Sequence, residues 1–61
     1  MKAYRIILKS GVPYEVVGTG HRLVFAATNS GHIDRLEIER DGDTVAIVRY
    51  EELAMFQESL P

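Results

Sequence analysis

The sequence predicts a mainly β domain: a five-stranded antiparallel meander that curls into a half-barrel or small barrel and ends in a short helix. Three observations predict it. Apolar and polar residues alternate with period two over much of the chain, breaks rich in Gly, Ser, Thr and Asn divide it into short runs, and Asp41-Gly42 stands between two alternating runs. That dipeptide favours a tight primed hairpin turn.

The elements follow in order. Tyr4, Ile6 and Leu8 alternate with Arg5, Ile7 and Lys9, the pattern of a half-buried first strand. Ser10-Gly11-Val12-Pro13 supplies turn residues, and Tyr14-Glu15-Val16-Val17 resumes an extended run, so the two form a hairpin. Gly18-Thr19-Gly20-His21 breaks the chain a second time. Residues 23–27 form a nearly continuous apolar run around Phe25, the candidate for the most buried strand.

Thr28-Asn29-Ser30-Gly31 reads as a loop, and residues 33–40 as the fourth strand. Leu36 and Ile38 alternate there with Arg35, Glu37 and Glu39, but Ile33 sits on the wrong parity, which a bulge near Asp34 or a start at Arg35 repairs. After the Asp41-Gly42 turn, residues 45–48 return as the fifth strand, with Tyr50 near its end. From Glu51 the period changes. Leu53, Phe56 and Leu60 stand at i, i+3 and i+7, with Glu51 and Glu52 placed to complement a helix dipole, so a short helix is predicted over 51–60. Left undocked, its Leu53, Phe56 and Leu60 stripe is a candidate partner-binding site.

Length and composition bound the rest. At 61 residues the chain is a single domain with room for one thin core, and it buries only about 60% of its unfolded surface. It has no Cys, which removes disulfides and thiolate metal sites together, so its stability must come from tight packing or from association with a second copy. No apolar run approaches the roughly 18 residues of a membrane span. The aliphatic run from Ile6 to Leu8 is too short for a signal-peptide core, which predicts a cytoplasmic protein.

The net charge of -2 conceals a split. Residues 1–30 carry four basic groups against one acidic, a net +3, and residues 31–61 carry three against eight, a net -5. Antiparallel pairing brings such segments together and lets opposite charges meet across strands. A hydroxyl-Gly-His triplet begins Thr19-Gly20-His21 and, with Ser30, Ser30-Gly31-His32. This is ordinary turn chemistry, and antiparallel strands would set His21 and His32 at opposite ends rather than around one metal.

No catalytic or metal-binding set is legible, and no cofactor is implied. Two His without HExxH or Cys spacing fall short of a metal site, the serines lack an elbow motif, and Gly18-x-Gly20 lacks the third glycine of a dinucleotide loop. Enzymatic activity is therefore the weakest class. A nucleic-acid reading would use Arg5, Lys9, Tyr14 and Arg22, cations and a ring suited to phosphates and bases, although the chain is acidic overall.

The run Tyr4-Arg5-Ile6-Ile7-Leu8-Lys9-Ser10-Gly11, then Tyr14-Glu15-Val16-Val17, the Asp41-Gly42 hairpin, and Val45-Ala46-Ile47-Val48 leading to Glu51-Glu52-Leu53 resembles small strand-rich proteins of phages and their bacterial hosts. It is also similar to the SH3-like and Sm-like small barrels. Where the Sm family carries an Asp-x-x-x-Asn loop and an Arg-Gly turn, this chain reads Thr28-Asn29-Ser30 and Arg49-Tyr50-Glu51, so the resemblance implies a small barrel without that family's RNA-binding signatures.

The function expected is a non-enzymatic interaction module, a regulator, inhibitor or assembly accessory that contacts another protein and forms a homo-oligomer. A nucleic-acid-binding small barrel is the alternative, and a small-ligand or metal binder the third.

Overall fold

The computed structural model describes residues 1–59, and at 29 and 30 the backbone alone. The chain is mainly β, as the alternation predicts. Among the described residues six strands form two antiparallel three-stranded sheets. β1 (Lys2–Leu8), β2 (Pro13–Gly18) and β6 (Leu53–Ser59) make one, in the order β2-β1-β6; β3 (Gly20–Ala26), β4 (Asn29–Arg40) and β5 (Asp43–Arg49) make the other, in the order β3-β4-β5.

The core lies between the sheets and draws on their central strands. Tyr4 and Ile6 of β1 and Leu36 and Ile38 of β4 are fully buried, with Leu8, Val16, Ala46, Val48, Leu53 and Phe56 packed around them. The apolar run of β3, expected to be the most buried strand, instead occupies a sheet edge, where Leu23 and Phe25 stay 45% and 56% exposed. An apolar run states that a strand can be covered on both faces. It does not state whether the fold supplies the cover.

The chain's end departs most from the sequence reading. The helix predicted over 51–60 is reduced to one 3-10 turn, Tyr50–Glu52, followed by a sixth strand paired with β1. The cause is local. No side chain caps the turn at Arg49, and a helix of about ten residues is marginal without strong docking. Pairing with the free edge of β1 satisfies the backbone instead. Ile7 opposes Met55 and Leu8 opposes Leu53, which leaves Ala54 as a bulge residue. That extra residue returns Leu53 and Phe56, three apart, to the same face of a strand.

A second bulge falls where the parity of Ile33 requires one. Val24 opposes Arg35 and Phe25 opposes Ile33, leaving Asp34 over. The loop expected over 28–31 contracts, since β4 already begins at Asn29, opposite Ala26. The Asp41-Gly42 turn has positive φ at both positions, 53° and 88°, the geometry of a type I′ hairpin.

The break at Gly18-Thr19-Gly20 is a corner rather than a loop. Only Thr19 separates β2 from β3, and the chain passes directly from one sheet into the other. Gly18 is buried there because β4 crosses close by: a Cβ at this position would lie 2.6 Å from the Glu39 carbonyl oxygen and 2.8 Å from Ile38 Cγ2. Three groups lock the corner. The Thr19 N–H donates to the Glu39 carbonyl (2.8 Å), the Asp41 N–H donates to Thr19 Oγ1 (3.2 Å), and the Arg40 guanidinium donates twice to the Val17 carbonyl (3.0 and 2.8 Å).

Away from the corner the two sheets diverge. Among the described residues no strand ladder joins β3 to β6 or β2 to β5. The radius of gyration, 11.7 Å, exceeds the roughly 10.5 Å typical of a compact chain of this length, and the Cα envelope is only 15 Å deep. Both seams are therefore open to solvent.

Candidate functional site: the cleft between β3 and β6

The larger opening, about 470 Å³, lies between the edge strands β3 and β6. Its floor is Leu36 of the core, and Leu23, Leu53, Met55 and Phe56 form the walls. Lys9, Tyr50 and Glu51 stand around it. It exists because, among the described residues, β6 pairs only with β1 and β3 only with β4, so two free edges face each other with apolar side chains between them.

A polar and aromatic cluster ties the two sheets together beside this cleft. His21 on β3 lies 3.3 Å, Nδ1 to Oε1, from Glu58 on β6, and Lys2 reaches the same oxygen at 3.5 Å. Among the described residues His21 and Glu58 are the ionisable pair that bridges the sheets. The rings of Tyr4, His21 and Phe56 pack together, with centroids 5.1–5.6 Å apart.

Burial, followed by the Glu58 carboxylate, pushes the Tyr4 phenol above its ordinary range, and the phenol in turn holds Glu58 below its own, with Lys2 and His21 adding to the effect. The phenol oxygen is buried, close enough to Glu58 for this mutual influence but without a protein partner at full hydrogen-bond geometry. The cluster fastens one point of the seam while the apolar stretch past Leu23 and Leu53 stays open.

The residues singled out in the sequence are dispersed. Leu53 and Phe56 do come together, as half-buried walls of the cleft rather than as an exposed helical stripe; Leu60 lies outside the described residues. Of the nucleic-acid set, only Lys9 reaches the cleft. Arg5 lies opposite Glu15 and Gln57 in the β2-β1-β6 sheet. Tyr14 lines a separate apolar groove of about 290 Å³ between β2 and β5, together with Ile6, Val16 and Val48.

Arg22 is committed to carboxylates. Its Nε and Nη2 donate to Glu37 Oε1 at 3.0 and 2.7 Å, and its Nη1 lies 3.1 Å from Glu39. Glu37 is only 5% exposed and also accepts from Arg35 Nε at 2.6 Å. Hydrogen bonds from Arg35 and then Arg22 hold its carboxyl below the ordinary range. This network stabilises the β3-β4-β5 sheet and leaves Arg22 little capacity for a phosphate.

Sequence reasoning missed the exposure of four residues, three of which, Leu23, Tyr50 and Met55, line the cleft. Leu23, Phe25, Tyr50 and Met55 are each 41–56% exposed. Their residue types signal burial; Leu23, Phe25 and Met55 are exposed through edge-strand positions that only the strand order reveals, and Tyr50 stands in the 3-10 turn. His21 and His32 do not converge: His21 opposes Ile38, six residues along β4 from His32, or about 20 Å of strand. Among the described residues no cluster of three or more His, Asp or Glu could hold a metal ion, and no helix is long and apolar enough to cross a membrane. No protein-family model, curated protein or solved structure matches this chain.

Proposed function

We propose that the chain is a non-enzymatic binding module that works in the cytoplasm through protein–protein contacts, as a regulator, inhibitor or assembly accessory, and that it associates with itself. One observation carries the reading: the cleft between β3 and β6 gathers large apolar side chains that the fold leaves uncovered, while only four apolar residues among those described are fully buried. Contiguous apolar surface of this kind marks interaction sites on small soluble domains. A thin core gives the chain further stability to gain from covering that surface.

Sedimentation equilibrium over a dilution series tests the reading. The reading expects mass above 6.9 kDa that falls on dilution, and a melting temperature that rises with concentration. A 6.9 kDa species throughout, with one melting temperature, would remove self-association.

A further inference from the structure

We propose that the cleft between β3 and β6 is covered by the same cleft of a second copy, docked about a two-fold axis so that Lys9 of each chain meets Glu52 of the other. This rests on the interaction-module reading and names its partner.

Charge is the first argument. The Lys9 N–H donates to the Glu52 carbonyl at 2.8 Å, so the two residues are neighbours: Lys9 lines the cleft, and Glu52 lines the adjoining depression that shares Lys9 and Glu51 with it. Their side chains nevertheless make no ion pair with each other or with any other described residue. One uncommitted cation beside one uncommitted anion is a self-complementary pattern, because a two-fold rotation sets the cation of one copy against the anion of the other, twice. Arg22, Arg35 and Arg40 are all engaged within their own chain.

The second argument is what lies beside that pair. Leu23, Tyr50 and Met55 are exposed next to it, and the same rotation brings each set over its counterpart. The third is the character of the two edges. Neither β3, reading Gly20-His21-Arg22-Leu23-Val24-Phe25-Ala26, nor β6 carries a Pro or Lys, the residues that usually block pairing at exposed edges. Covering the cleft with a second copy removes both edges from solvent at once.

Charge reversal tests the docking. Lys9→Glu and Glu52→Lys alter exposed side chains and should leave the fold unchanged by circular dichroism. In sedimentation equilibrium each variant alone should associate about tenfold more weakly than the parent, since two modest ion pairs become two repulsions. An equimolar mixture of the two should recover tight association as a heterodimer, because both contacts are then complementary. Variants that associate like the parent, or a mixture no tighter than its components, would overturn this docking while leaving self-association in place. A parent chain that stays monomeric would overturn the docking and the self-association reading together.

Discussion

Gly18→Ala is the sharpest test of how the two sheets are joined. The added Cβ would sit 2.6 Å from the Glu39 carbonyl oxygen and 2.8 Å from Ile38 Cγ2, both closer than carbon tolerates. The first of these atoms is backbone in the central strand β4, and the second belongs to a fully buried side chain, so neither can swing aside. Overpacking of this kind costs about 1–3 kcal/mol. Moving Glu39 also loosens the hydrogen bond from the Thr19 N–H, for about 0.5–1.5 kcal/mol more. A loss of about 2–4 kcal/mol follows, against a total stability of about 3–9 kcal/mol for a chain of this length.

Urea unfolding followed by circular dichroism measures the loss, and Gly20→Ala supplies the control. Gly20 lies two residues away in the same corner, but its Cβ would meet nothing within 4 Å. It should be neutral, or stabilising by up to about 1 kcal/mol through the unfolded chain. Gly18→Ala within about 0.5 kcal/mol of the parent, the scatter of ordinary surface substitutions, would refute the corner as the rigid joint between the sheets.

Three further outcomes follow. Gly42→Val should cost about 1–2 kcal/mol in the same assay; its Cβ has open space, so the cost reports the φ of 88° alone, and a variant as stable as the parent would rule out the primed turn. Leu36→Ala should cost about 2–5 kcal/mol and Leu23→Ala clearly less, although Leu23 is the one in an apolar run and Leu36 stands between Arg35 and Glu37; equal costs would place β3 in the core rather than at an edge. Glu37 has a folded pKa held below the ordinary 4.5, so its contribution to stability is full above that value and is lost as pH falls through the depressed folded value. Melting temperatures between about pH 5 and pH 2, a window that spans the ordinary and depressed carboxylate ranges, should fall less steeply for Glu37→Gln than for the parent. Parallel slopes would mean that the arginines do not hold the carboxylate.

Much of this fold is legible in local chemistry. The parity error of Ile33 locates the bulge at Asp34, and Asp41-Gly42 locates the primed turn, because both signals depend on neighbouring residues alone. The Leu53, Phe56 and Leu60 spacing misleads for the opposite reason. Three residues suit a helix face, but a bulge at Ala54 gives Leu53 and Phe56 a common face in a strand as well, and the free edge of β1, distant in sequence, decides between them. The cleft is hidden from sequence for the same reason as the exposure of Leu23 and Phe25. Both depend on which strands are edges, and strand order is a property of the assembled sheets. Arg22 reads as an available cation until the register places Glu37 directly across from it.

Amide and methyl NMR spectra recorded from dilute to concentrated protein would show whether the β3–β6 cleft is the surface through which the chain associates, as proposed. Concentration-dependent shifts should centre on Leu23, Tyr50, Leu53 and Met55, leaving Tyr14 and Val16 of the opposite groove unchanged. Shifts confined to the groove between β2 and β5, or spectra that do not change with concentration, would contradict the proposal.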